Sequence, residues 1–167
     1  MVDGLVSVIM PSWNTGKFIA ESIQSVIDQT YENWELIIVD DCSTDNTDEV
    51  MAKFTDKRIR YFKNEKNSGA ALSRNRALRE ARGEWIAFLD SDDLWSPEKL
   101  EHQISFMNEH GYTLSYTEYE KIDEEMRRTS DGGKIRVESI AYPGVKIVIS
   151  NMTSFIHTET QHCTFVR

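Results

Sequence analysis

Cysteine is nearly missing from this chain: Cys42 and Cys163 stand far apart without C-x-x-C spacing. That excludes a disulfide framework and a cysteine-based zinc site. Long apolar runs are missing as well, since no stretch approaches the roughly 18 apolar residues of a spanning helix. The N-terminus has Asp3 and only a short apolar run before Pro11, which does not make a signal peptide. A soluble chain in a reducing cytoplasm is the expectation. Positive charge is scarce: 19 Lys and Arg against 28 Asp and Glu leave a net charge of −9 and a pI near 4.9. A nucleic-acid surface depends on clustered cations, so that class is excluded. An anionic small molecule would need local help from a metal, helix N-termini or a few placed cations. There is no internal repeat or low-complexity tract, and 167 residues make one domain with a real core rather than two.

What is present centres on Glu84-Trp85-Ile86-Ala87-Phe88-Leu89-Asp90-Ser91-Asp92-Asp93, an apolar run that ends in clustered acids. A continuous apolar run of strand length reads as a strand covered on both faces, as in a parallel sheet. Its acids then lie at the C-terminal edge, where open α/β sheets bind ligands. Carboxylates so close together repel unless a cation or hydrogen-bond donors hold them, and hard cations such as Mg²⁺ or Mn²⁺ take such oxygen ligands. A lone D-x-D is by itself a weak signal, because an acidic loop before a helix gives the same pattern.

The rest of the chain supplies context. Leu5 to Met10 reads as a first strand closed by Pro11, followed by a loop, Ser12 to Gly16. Ile19, Ile23, Val26 and Ile27 recur at helical spacing up to about Gln29. Trp34 to Val39 is a second strand ending in Asp40 and Asp41, with Ser43 or Thr44 expected to cap a helix that turns Val50, Met51 and Phe54 inward. Ile59 to Phe62 is a third, less buried strand. A helix over about Ala70 to Ala81 would face the sheet with Leu72, Asn75 and Leu78, leaving Arg74, Arg76, Arg79 and Arg82 clustered nearby. Of these, Arg74 is near enough to the helix start to share a phosphate with its N–H groups. Ser96 and Pro97 predict a helix start, as cap and first residue, with a stop at Gly111. Beyond it come alternation over Leu114 to Tyr119, a turn at Asp131-Gly132-Gly133, and short strands over Ile135 to Val137 and Val145 to Ile149. Residues 150–167 show no period.

The segments S-V-I-M-P-S-W-N, I-I-V-D-D-C-S-T-D, N-S-G-A-A-L-S-R-N and G-E-W-I-A-F-L-D-S-D-D, in this order from Leu5 to about Leu100, resemble the family 2 glycosyltransferases of the GT-A fold. The resemblance implies an α/β fold with a mainly parallel central sheet and helices on both faces. It implies one domain over 1–167, with a nucleotide-sugar-binding half (1–110) and a partial acceptor-side half (111–167). In it Pro11, Trp13 and Asn14 border the nucleotide, Trp13 standing where a tyrosine is common. Asp41 bonds the base, Asp90 takes ribose or sugar hydroxyls, Asp92 binds Mn²⁺ or Mg²⁺, and Arg74 holds a phosphate or the sugar. The implied reaction is metal-dependent, inverting transfer from a nucleoside diphosphate sugar, a UDP-sugar, to a saccharide or lipid-linked acceptor in cell-surface polysaccharide synthesis. It is compatible with peripheral membrane association at the inner face.

Transfer also needs a general base, which the family carries in an E-D pair beyond the matched region. No such pair is found here. Glu159 is a candidate substitute and His162 a candidate metal ligand, against the simpler reading of a lightly packed tail in a shortened chain. The alternative function is therefore a nucleotide-sugar-binding fragment or module without transfer. A phosphohydrolase of the haloacid dehalogenase type would carry its D-x-D on the first strand, whereas here three βα units precede it.

Overall fold

The computed structural model describes residues 1–117, together with the backbone of three short strands farther along, Lys121–Ile122, Arg128–Ser130 and Lys146–Ile149. In chain order the elements are β1 (Val2–Ser12), α1 (Ile19–Ile27), β2 (Trp34–Asp40), α2 (Thr47–Met51), β3 (Ile59–Lys63), α3 (Ala70–Glu80), β4 (Gly83–Phe88), α4 (Lys99–His110), β5 (Leu114–Tyr116), β6 (Lys121–Ile122), β7 (Arg128–Ser130) and β8 (Lys146–Ile149). Six of these strands form one sheet, in the order β3-β2-β1-β4-β8-β5, and every neighbouring pair is parallel. β6 and β7 form a separate antiparallel pair, where the βα alternation has ended.

Side chains alternate across a strand, so the apolar runs supply two cores. Val6, Val8 and Met10 of β1, with Leu36 and Ile38 of β2 and Trp85 and Ala87 of β4, pack under α1, α2 and α4. The intervening residues Ile9, Ile37, Val39 and Ile86 pack under Ala77 of α3 on the opposite face. The helices therefore lie on both faces, as expected. Gly111 closes α4 with φ 66°, the left-handed cap that glycine adopts without strain.

Several local expectations are corrected. Pro11 does not close β1: the strand runs through it to Ser12 and pairs it with Val39. The reason lies in the direction of its missing donor. The Ile9 carbonyl accepts from Leu89 on the β4 side, alternation turns the Pro11 nitrogen the same way, and β4 has ended at Phe88.

Neither Ser43 nor Thr44 caps α2. Asn46 holds the N-cap position, and the Asp45 carboxylate accepts the Thr47 N–H (3.0 Å) and hydroxyl (2.6 Å). Ser96 does not cap α4 either, since the helix begins at Lys99 after a turn in which the Ser96 carbonyl accepts the Lys99 N–H. The Leu114 alternation yields a strand of three residues, and Lys146–Ile149 matches the last expected strand, while Ile135 to Val137 lies outside the described residues.

The largest correction concerns α3. Leu72 and Leu78 are 56% and 37% exposed and Asn75 is exposed, whereas Ser73 and Ala77 are fully buried against the sheet. Small residues four apart let the helix lie close to β1 and β2 with little apolar area to hold it. Polar contacts along its flanks take over. Arg60 reaches the Glu80 carboxylate (2.6 Å) and carbonyl (2.8 Å), and Arg76 reaches the carbonyl of Lys63 (2.8 Å) and the amide oxygen of Asn64 (2.7 Å). These contacts set where Arg74 stands.

Candidate functional site

Three parallel strands deliver their C-terminal residues to one edge: Ser12 is in register with Asp40, and Ile9 with Phe88. Asp41 follows β2, and Asp90 and Asp92 follow β4, so both acidic clusters come to the same edge. They border a cavity of about 880 Å³. Of the residues singled out from sequence, Pro11, Trp13, Asp41, Arg74, Asp90 and Asp92 line it. Asn14 does not line it; it is exposed and braces the loops, its side-chain oxygen accepting the Thr44 N–H at 2.8 Å. Glu159 and His162 lie outside the described residues.

Asp41 is 2% exposed, and its carboxylate accepts from the side chain of Asn64 (2.7 Å) and from the backbone N–H groups of Ser68 (2.9 Å) and Gly69 (2.6 Å). It thereby caps the entrance to α3, where unsatisfied helix N–H groups favour an anion. Burial pushes its pKa up, but the donors from Asn64, Ser68, Gly69 and Ser73 outweigh burial and hold it below the usual carboxylate range. The sign follows: a lowered folded-state pKa contributes stability that is complete above the ordinary value of 3.8 and lost as pH falls through the lowered one. Asp41→Asn is expected to reduce stability at pH 7 and to flatten the acid limb below about pH 4, measured by urea unfolding across pH. An unchanged acid limb would show that Asp41 does not carry this linkage.

Across the cavity, Arg74 donates to Asp90 at 2.5 Å, and both side chains are largely buried. Burial raises the Asp90 pKa, the Arg74 guanidinium opposes that, and the charge of Asp92 adds to the rise. Trp13 is 55% exposed at the rim, an aromatic face left open rather than packed into the core. Among the described residues no three acidic, histidine or cysteine side chains converge as a complete metal cage. One or two carboxylates beside a cavity do fit a hard cation that completes its shell with substrate phosphates and water. The mutual effect of Asp92 and Asp90 is the excess negative charge such a cation would offset.

Sequence reasoning missed the parts that hold these loops together. The Asn14 N–H donates to the Ser43 hydroxyl (2.8 Å), and the Gly16 N–H donates to Asp45 (2.9 Å). Gly16 has no room for a side chain, since a Cβ there would stand 2.2 Å from the Asn46 side-chain oxygen and 2.9 Å from the Thr47 nitrogen. The signal was available in Asp45-x-Thr47, because a carboxylate commonly accepts the N–H two residues on.

Comparison with known proteins agrees with this geometry. The family model described as glycosyl transferase family 2 matches residues 7–167. The chain is 50% identical over 117 residues to the putative teichuronic acid biosynthesis glycosyltransferase TuaG of Bacillus subtilis (strain 168), covering 69% of this chain and 46% of that protein. It is 51% identical over 123 residues to the UDP-Glc:alpha-D-GlcNAc-diphosphoundecaprenol beta-1,3-glucosyltransferase WfgD of Escherichia coli, covering 74% of this chain and 49% of that one. The chain thus spans about half the length of these curated relatives. Among solved structures, S. aureus TarS 1–349 in complex with UDP superposes with a TM-score of 0.64 at 37% identity, over 67% of this chain and 35% of that one. With parallel βα units, acids gathered at one sheet edge and a family match over nearly its whole length, the chain has the GT-A fold and belongs to glycosyl transferase family 2.

Proposed function

We propose that this chain carries the donor-binding part of an inverting, metal-dependent glycosyltransferase that moves a sugar from a UDP-sugar to a lipid-linked saccharide acceptor. The observation that carries the reading is the meeting of Asp41 with the Arg74, Asp90 and Asp92 cluster across one cavity. An ionised Asp41 only accepts hydrogen bonds, so it suits a base with an imino N–H, and Trp13 offers its face for stacking. Asp90, oriented by Arg74, is placed for ribose or sugar hydroxyls. Asp92, with Asp90 beside it, would hold Mn²⁺ or Mg²⁺. When bound, the cation supplies Lewis-acid stabilisation of the departing diphosphate.

The acceptor hydroxyl needs a general base of its own. Among the described residues the acids lining the cavity are Asp41, Asp90 and Asp92, and this reading gives all three to the donor: the nucleobase, the ribose or sugar hydroxyls, and the metal. The base is therefore to be sought beyond residue 117, in the acceptor-side half, with Glu159 the candidate within this sequence. That the acceptor is lipid-linked is supported by WfgD, whose name specifies a diphosphoundecaprenol acceptor, and work at the inner membrane face is part of the same proposal. No helix among the described residues is long and apolar enough to cross a membrane.

A thermal-shift panel of nucleoside diphosphates and their sugars, with and without Mn²⁺, tests the reading. UDP with Mn²⁺ at about a hundred times its Kd is expected to stabilise by about 2.7 kcal/mol, a rise in Tm of roughly 5–10 °C for a chain of this size. No shift with any nucleotide would sink it.

A further inference from the structure

Two residues on the cavity wall stand immediately before residues in left-handed backbone: Trp13 before Asn14 (φ 52°) and Asp41 before Cys42 (φ 67°). Glycine tolerates that region freely, asparagine more readily than most other residues and cysteine less so, and each turn is held by hydrogen bonds around it. The holding group common to both is Ser43. Its N–H donates to the Asp40 carboxylate at 2.9 Å and its hydroxyl donates to the other oxygen of the same carboxylate. That hydroxyl also accepts the Asn14 N–H at 2.8 Å.

The direction of this relay is fixed. The Asn14 N–H can only donate, so the Ser43 oxygen accepts there and its O–H is directed at Asp40, which is fully buried with Lys63 Nζ at 3.7 Å. Beyond it, Thr44 donates to the Asn14 side chain at 2.8 Å and the Asp41 N–H donates to the Ser12 carbonyl at 2.7 Å. The loop after β1 and the loop after β2 are stitched together, with the hydroxyl of Ser43 as the side-chain link from buried Asp40 to the residue following Trp13.

We infer that Ser43 is a positioning residue for the nucleobase: without touching the ligand, it sets the spacing between the Trp13 face and the Asp41 carboxylate. This rests on the nucleotide reading given above. Losing the hydroxyl leaves the Asn14 N–H and one Asp40 oxygen without this partner, and the turn after Trp13 is no longer tied to buried Asp40. The base slot then widens, while Arg74 on α3 and Asp90 and Asp92 after β4 keep their places.

Calorimetric titration of UMP without metal and of UDP with Mn²⁺ tests this in the wild type, Ser43→Ala and Ser43→Thr, with Tm measured for each. Ser43→Ala is expected to weaken both ligands by the same factor, about tenfold, a loss in the range of one unmet buried hydrogen bond. The ratio of the two affinities should stay constant, and Ser43→Thr, which keeps the hydroxyl, should recover to within about twofold. Ser43→Cys, close in shape but a weak donor, replaces the alanine variant if that one does not fold. Unchanged UMP affinity, a loss confined to UDP with Mn²⁺, or no recovery in Ser43→Thr would each overturn the inference while leaving the nucleotide reading intact. A wild type that binds neither ligand would overturn both.

Discussion

Replacing Asp92 by Asn is expected to weaken UDP binding in the presence of Mn²⁺ by about 100-fold or more, and UMP binding without metal by less than about twofold. The difference comes from what each ligand asks of the cavity. A hard cation bound through one or two protein carboxylates depends on each of them, and even residues that merely orient metal ligands typically contribute about 10–100-fold. A hundredfold loss corresponds to about 2.8 kcal/mol at about 1.4 kcal/mol per decade. The nucleobase end has no share in that term. Asp41→Ala is the complement: it should weaken UMP and UDP equally, because Asp41, held by the Asn64 to Gly69 loop, is the acid assigned to the base that both ligands share. Equal losses for both ligands in Asp92→Asn would show that the division of labour between the two acidic clusters is wrong.

The second large effect is on stability. Arg74→Leu should destabilise the chain by about 3 kcal/mol at pH 7, the lower end of what breaking a buried pair costs, since Arg74 and Asp90 keep 13% and 18% of their side chains exposed. The loss is that of a carboxylate left among burial and the Asp92 charge without its guanidinium. The sign with pH follows from the direction of the shift. Asp90 already has a raised folded-state pKa, and removing Arg74 raises it further, so its ionised form penalises folding above that pKa and the penalty fades as pH falls through it. Arg74→Leu should therefore be less destabilising at pH 5 than at pH 7.5 in urea unfolding. Adding Asp90→Asn should restore much of the loss by removing the stranded charge. Equal destabilisation at both pH values with no restoration would mean that Arg74 acts through packing alone.

The strands were legible in the sequence because their signal is local. Leu36 to Val39 and Trp85 to Leu89 are apolar on both alternating faces, which suits a strand between two helical layers. The acids that follow had to reach the C-terminal edge once those strands were parallel. The spacing of Ile19, Ile23 and Val26 likewise matches the buried face of α1, because a helix under a large apolar layer buries its apolar stripe.

Where residues answer to partners distant in the chain, local pattern misled. The apolar residues of α3 pointed to Leu72 and Leu78 as its inner face, yet Ser73 and Ala77 are inside, because Arg60 of β3 reaches Glu80 of α3, Arg76 of α3 reaches Lys63 of β3, and Arg74 of α3 reaches Asp90. Pro11 looked like a strand end, and whether its missing N–H matters depends on where β4 stops, dozens of residues later. Ser43 has the composition of a helix cap, and it serves Asp40 and Asn14 instead.

By itself the sequence determined the parallel α/β order and the side of the sheet on which the acids gather, since hydrophobic period and strand direction are properties of short segments. Only the tertiary structure decided which donors hold each acid, Arg74 for Asp90 and the Asn64 to Gly69 loop for Asp41, and how the loops after β1 and β2 are locked together. A hydrogen bond needs its two atoms within about 3 Å and in line, and that condition is met only after the sheet register has brought distant segments side by side.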